Sequence, residues 1–132
     1  MSELFSFGKQ RVFLKFSLIP VSDSTTALER YDACVDLQRV GAVAQSMEML
    51  QKMTIDFPDF SLTYNALAAL YKKTNDMEAA IDHMEKYCAL EPDDYFGFSV
   101  LSVYCIAAGR RVQAEEALGR ANELRFKAQL GG

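Results

Sequence analysis

From Ala27 to Leu130, apolar residues recur three and four positions apart with only short polar breaks. That spacing gathers them on one stripe of an α-helix. The breaks divide the stretch into six predicted helices, near 27–40, 43–56, 61–73, 77–90, 95–108 and 111–128. Gly41, Asn75–Asp76 and Gly109 supply the stops, since glycine and asparagine accept the left-handed conformation that ends a helix. Pro58 and Pro92 act in the same sense, because proline has no amide to continue the ladder. Thr26 and Glu29 have the spacing of a capping box, in which hydroxyl and carboxylate satisfy free amides at a helix start.

The breaks are themselves periodic. Displaced by 34 residues, Pro58 falls on Pro92 and Asp59 on Asp93; Gly41, Asn75 and Gly109 coincide, as do Lys52, Lys86 and Arg120, and Leu50, Met84 and Leu118. A fixed period of this length marks a stacked repeat in which each unit is a helical pair. The middle copy carries Tyr64, Leu67, Ala68, Tyr71, Ala80, Met84, Leu90 and Pro92. The third carries Phe98, Leu101, Ser102, Cys105, Gly109, Ala114, Leu118, Ala121 and Leu124. The first has Ala33, Cys34, Leu37, Gly41, Ser46, Leu50 and Pro58, with Arg30 where the later copies have Tyr64 and Phe98. Cys34, Ala68 and Ser102 are small where the helices of a pair approach, and Ala80 and Ala114 where a neighbouring helix crosses.

In these residues the chain resembles the tetratricopeptide repeat over about 27–128. The resemblance implies an all-α, right-handed superhelical solenoid of three helix-turn-helix units. Residues 23–132 would form it, as repeats near 27–60, 61–94 and 95–128, after an N-terminal arm over 1–22. Such arrays usually end in a polar capping helix. Here only Arg125–Gly132 follows the third repeat, so the last apolar face needs another cover: the arm or a second molecule.

In this family the first helix of each pair lines a concave groove that binds protein segments. Carried over by position, the expected contact residues are Tyr31, Val35, Leu62, Asn65, Ala66, Ala69, Lys73, Phe96, Ser99, Val100 and Val103. Leu28, Asp32, Arg39 and Ile106 complete the same lining. One subclass grips chaperone-tail carboxylates with a clamp of Lys, Asn and Arg. The clamp positions here hold Tyr31, Val35, Ala66, Phe96 and Val100, which offer almost no charge-assisted donors. That role is excluded. Tyr95–Ala108, YFGFSVLSVYCIAA, contains no charged residue. A helix apolar all round is normally covered all round, so its inner stripe calls for an occupant.

Composition narrows the function further. Of 132 residues, 50% are hydrophobic and 24% charged, an ordinary balance for one domain, and the net charge of −4 offers no basic face for phosphates. Nucleic acid is therefore not an expected partner. Lys9, Arg11 and Lys15 against Glu3 give residues 1–20 a net +2, leaving −6 for the rest. The apolar arm residues Leu4, Phe5, Phe7, Val12, Phe13, Leu14, Phe16, Leu18 and Ile19 do not read as a secretion signal, because Lys15 interrupts the run and no small-residue cleavage site follows. No stretch approaches the roughly 20 apolar residues of a membrane-spanning helix.

Cys34, Cys88 and Cys105 are odd in number and widely spaced, which argues against disulfides and zinc and for buried thiols in a reducing cytoplasm. The single histidine, His83, lies between Asp82 and Glu85 and reads as a solvated surface residue. Glu91, Asp93 and Asp94 cluster after Pro92, where Asp93 or Asp94 is expected to cap the next helix. Lys72–Lys73 and Arg110–Arg111 fall near helix C-termini, where cations complement the dipole. No nucleophile–base pair, metal set or phosphate loop is present, so neither an enzyme nor a cofactor is expected.

Three functions stay open at this point: a cytoplasmic module binding a protein or peptide segment in its groove; a homo-oligomeric scaffold, dimeric through residues 1–20, whose arm fills the groove; and a small chaperone shielding apolar segments, similar to those of secretion systems.

Overall fold

The computed structural model describes residues 24–131, with side chains placed from Ala27 onward. The N-terminal arm lies outside the described residues. Six helices and no strand occur among them: α1 Ser24–Arg39, α2 Val43–Asp56, α3 Ser61–Lys73, α4 Met77–Leu90, α5 Tyr95–Ala107 and α6 Arg111–Gly131. The predicted boundaries hold within a few residues. Thr26 sits inside α1 rather than before it, so it is not the residue that opens the helix. The chain divides into two compact units, Met1–Pro58 and Asp59–Gly132.

The three predicted stops are one device used three times. Gly41, Asn75 and Gly109 have φ of 88°, 65° and 78°. After each, two backbone amides turn back onto the preceding helix: Gly41 onto Gln38 and Ala42 onto Leu37, Asn75 onto Lys72 and Asp76 onto Tyr71, Gly109 onto Ile106 and Arg110 onto Cys105, all at 2.8–3.0 Å. This is the Schellman closure, which satisfies carbonyls a helix end leaves free. The next helix can then start at once. Asp76 caps α4 through Ala79 N at 3.2 Å, and Asp94 caps α5 through Phe96 N at 3.0 Å.

In the first unit α1 packs on α2. Cys34, Leu50 and Met53 are fully buried there. The small residue Ser46 lets the two helices meet, and its hydroxyl donates to the Cys34 carbonyl at 2.8 Å. Gln38 Nε2 donates to the same hydroxyl at 3.1 Å. In the second unit α3 packs on α4, α4 on α5, and α5 on α6. The core here is Tyr64, Ala68, Ala80, Ile81, Met84, Tyr87, Cys88, Leu101, Tyr104, Cys105, Ala114 and Ala117. The expected small residues Ala68, Ser102, Ala80 and Ala114 are all buried.

Arg30 explains its own departure from the aromatic pattern. In the later repeats the ring at this position lies under a cation of the second helix: Lys86 Nζ is 6.0 Å from the Tyr64 centroid, and the Arg120 guanidinium 5.8 Å from that of Phe98. The first repeat inverts the pair. Arg30 is the cation, 5.3 Å from the Phe57 ring, and Nη1 donates to Asp56 Oδ2 at 3.0 Å with the arginine side chain only 12% exposed. A guanidinium stacks and forks at once, which a lysine does not do.

His83 corrects an expectation. It is half-buried rather than solvated, stacked on Tyr71 with ring centroids 5.2 Å apart and on Tyr64 at 6.4 Å. Its Nδ1 lies 2.8 Å from the Ala79 carbonyl one turn back. The ring has enough apolar surface to pack between α3 and α4, which neighbouring Asp82 and Glu85 did not reveal.

Candidate interaction surface

Helices that open each repeat carry the expected contact residues. In the first unit, Tyr31 and Val35 on α1 are half-buried and Leu28 is exposed. Burial, followed by the Asp32 and Cys34 charges, raises the Tyr31 hydroxyl above its usual range. In the second unit α3 presents Leu62 and Lys73 exposed, with Asn65, Ala66 and Ala69 half-buried between them. The spacing 62, 66, 69, 73 keeps Leu62, Ala66, Ala69 and Lys73 on one helical face.

The surface of α5 is the most informative. Its buried side holds Gly97, Leu101, Ser102, Tyr104 and Cys105. On the other side Phe96 is 58%, Val103 56% and Ile106 66% exposed. Those three positions repeat at seven and three residues, so they form one stripe that no described residue covers. Ser99 lies within it, half-buried, its hydroxyl donating to the Tyr95 carbonyl at 3.0 Å. Val100 is placed differently from its neighbours: it packs against the core of the unit. It therefore supports the stripe from behind rather than forming its outer surface.

Sequence reasoning named the inner stripe but missed an apolar depression beside it. A cavity of about 380 Å³ opens between α5 and α6, lined by Ile106, Gly109, Arg111, Ala114, Glu115 and Leu118. The repeat itself carried the signal. Leu50, Met84 and Leu118 occupy one repeat position; the first two are fully buried and Leu118 is 46% exposed. Among the described residues no further helix packs over that side chain. The apolar face of the third repeat is thus uncovered among the described residues, and α6 runs on to Gly131 with Phe126 and Leu130 also exposed.

Among the described residues no three metal-ligating side chains converge. All three cysteines are free and buried. Burial pushes the Cys34 thiol up to about 11 against a smaller opposing pull from Arg30, and burial with Asp94 and Glu85 pushes Cys88 up to about 12. Thiols so raised are poor nucleophiles. Of the acidic cluster, Asp94 caps α5 and accepts the Tyr87 hydroxyl at 2.5 Å, while Glu91 accepts from Ser61 at 2.7 Å. Arg110 pairs with Glu78, so it ties α4 to the turn before α6. Arg111 is the first residue of α6 and pairs with Glu115 at 3.4 Å, which corrects the expectation of a helix C-terminus there.

Known structures share this arrangement. The chain is similar to MamA, with a TM-score of 0.76 at 16% identity, over 92% of this chain and 70% of that one. It is similar to the Yersinia enterocolitica type III secretion translocator chaperone SycD, with a TM-score of 0.67 at 17% identity, over 77% and 76% of the two chains. A chain of the CopN–Scc3 complex matches with a TM-score of 0.68 at 16% identity, and this chain spans 58% of its length. The fold is a tetratricopeptide-type helical repeat. No protein-family model and no curated protein matches the sequence. No helix among the described residues is long and apolar enough to cross a membrane.

Proposed function

We propose that this protein is a non-enzymatic, cytoplasmic interaction module that binds a protein segment on the inner face of its second unit. One observation carries the reading: α5 has no charged residue and leaves Phe96, Val103 and Ile106 more than half exposed. An apolar stripe of this kind in a soluble protein marks a contact surface. Leu62, Ala66 and Ala69 of α3 extend the apolar area, and Asn65, Ser99 and Lys73 supply the polar groups around it. Tyr31 and Val35 offer the equivalent positions of the first unit. Segments that fit an apolar channel are anchored by a few aromatic or aliphatic side chains.

Selection from a displayed library of short random peptides tests this. Phe96→Glu and Val103→Glu change exposed positions, so both variants keep the helical circular dichroism of the parent. Covering one such side chain contributes roughly 1.5–3 kcal/mol, so each glutamate weakens the selected peptides by about tenfold or more. Peptides that bind both variants as tightly as the parent refute the assignment of this face.

A second reading, that the bound segment is an apolar stretch shielded before its own assembly or export, is favoured by the same uncharged helix. The likeness to SycD, a translocator chaperone by name, points the same way. Under it, the protein keeps an aggregation-prone apolar peptide soluble at equimolar ratio, and the Phe96→Glu variant does not.

A further inference from the structure

The depression between α5 and α6 differs from its counterpart one repeat earlier. Arg111, Ala114, Glu115 and Leu118 of α6 occupy the repeat positions of Met77, Ala80, Ile81 and Met84 of α4. In α4 all four are apolar, Ala80, Ile81 and Met84 are fully buried, and α5 packs over them. In α6 two of the four are charged, with opposite signs. Arg111 Nε donates to Glu115 Oε2 at 3.4 Å, and both side chains are exposed.

A cover for this face therefore has two tasks. It fills an apolar cavity of about 380 Å³, and it brings an acid to Arg111 and a base to Glu115, about 6 Å apart along the helix. An apolar helix such as α5, which has no charged residue, does only the first. It would strip water from two charges held by a single long contact, a cost their mutual attraction does not offset.

Helix α6 of a second copy does both. Residues 111, 115 and 118 are spaced at i, i+4 and i+7, so Arg111, Glu115 and Leu118 share one face. In an antiparallel pair of α6 helices with a two-fold axis level with Gln113, Arg111 of each copy faces Glu115 of the other. Opposite charges one turn apart are self-complementary in this arrangement, as a two-fold interface requires. Leu118 then lies about 7.5 Å from the axis, level with the Ala108–Gly109 turn of the other copy. Ile106 and Gly109 line the depression there, and the space over Gly109 is open, since an added Cβ would meet nothing within 4 Å.

We propose that the α5–α6 face is a two-fold contact between two copies of this chain. Leu118 of each copy enters the depression of the other, and Arg111 and Glu115 pair across the axis. Phe96 and Val103 do not line the depression, so this is a second surface, which Ile106 borders. The proposal holds whether or not the inner stripe binds a segment. One helical turn and one depression per copy make a small interface, so the expected dissociation constant is on the order of 10–100 μM.

Sedimentation equilibrium of the full-length protein from about 5 to 500 μM brackets that value and is the test. Circular dichroism checks that each variant keeps the parental helix content, since all three substituted side chains are exposed. Leu118→Glu places a charge in the apolar depression and is expected to weaken the dimer about tenfold or more. Arg111→Glu leaves only acids at the axis and Glu115→Arg only bases, so each variant alone dimerises about tenfold or more weakly than the parent. Mixed in equal amounts, the two charge variants are expected to form a heterodimer at least as readily as the parent dimerises, because every acid again meets a base. A parent that stays monomeric over the whole range overturns the proposal. So does a dimer that the single charge reversals leave unchanged, because its contact then lies on another surface.

Discussion

Gly97 lies in the first turn of α5, where the backbone passes close to side chains of α4. A Cβ added there would sit 2.8 Å from Tyr87 Cε1, 2.9 Å from Tyr87 Cδ1 and 3.4 Å from Cys88 Sγ. Carbon atoms in good contact stand about 3.5–4.0 Å apart, so Gly97→Ala forces the ring back by more than half an ångström. The ring has little room. Tyr87 is 9% exposed, and its hydroxyl donates at 2.5 Å to Asp94, the carboxylate that also caps α5. Helix propensity favours alanine by about 1 kcal/mol at most. Against it stand overpacking of about 1–3 kcal/mol and a hydrogen bond to a charged acceptor, about 1.5–3 kcal/mol if lost. The net expectation is destabilisation by about 1–3 kcal/mol, read as a lower guanidinium midpoint by circular dichroism and a melting temperature lower by roughly 4–10 °C. In a Tyr87→Leu background the same change loses its obstacle, so its sign reverses and the alanine stabilises. A Gly97→Ala protein more stable than its parent would refute the contact itself.

The repeat position shared by Leu50 and Leu118 separates burial from sequence: Leu50→Ala should cost about 2–5 kcal/mol and Leu118→Ala less than about 1.5 kcal/mol, and equal midpoint shifts would count against the uncovered end face. Arg30→Ala removes a stacked, ion-paired guanidinium and is expected to cost about 1–2 kcal/mol, with Asp56→Ala adding little once Arg30 is gone; full additivity in the double-mutant cycle would show that the pair does not interact. Stability should hold to pH 9 and fall above it. The folded pKa values of Cys34, about 11, and Cys88, about 12, lie above the unfolded value of 9.0, so the folded state keeps protons that the unfolded state releases. The loss therefore runs from about pH 9 to pH 12, at up to roughly 1.4 kcal/mol per pH unit for each thiol, and urea midpoints unchanged between pH 8 and pH 10.5 would contradict it.

Much of the architecture was legible without coordinates because its determinants are local. The 34-residue period, the left-handed stops at Gly41, Asn75 and Gly109, and the Asp94 cap each depend on a few neighbouring residues whose backbone preferences do not wait for tertiary contacts. The exposed stripe of α5 was legible too, since the repeat register decides which face points away from the partner helix. His83 was not, because a ring beside two acids reads as solvated until Tyr71 is seen to stack on it. Nor was the role of Arg30, whose partners Asp56 and Phe57 lie on the far side of a helical pair, or the closeness of Gly97 to Tyr87 across a turn. Leu118 shows the difference most directly. Its sequence position equals that of buried Leu50 and Met84, yet it is exposed, because burial belongs to what packs alongside and not to the residue. Local sequence determined where each helix begins, ends and turns; only the packing of one helix on another decided which side chains are covered and which remain to meet a partner.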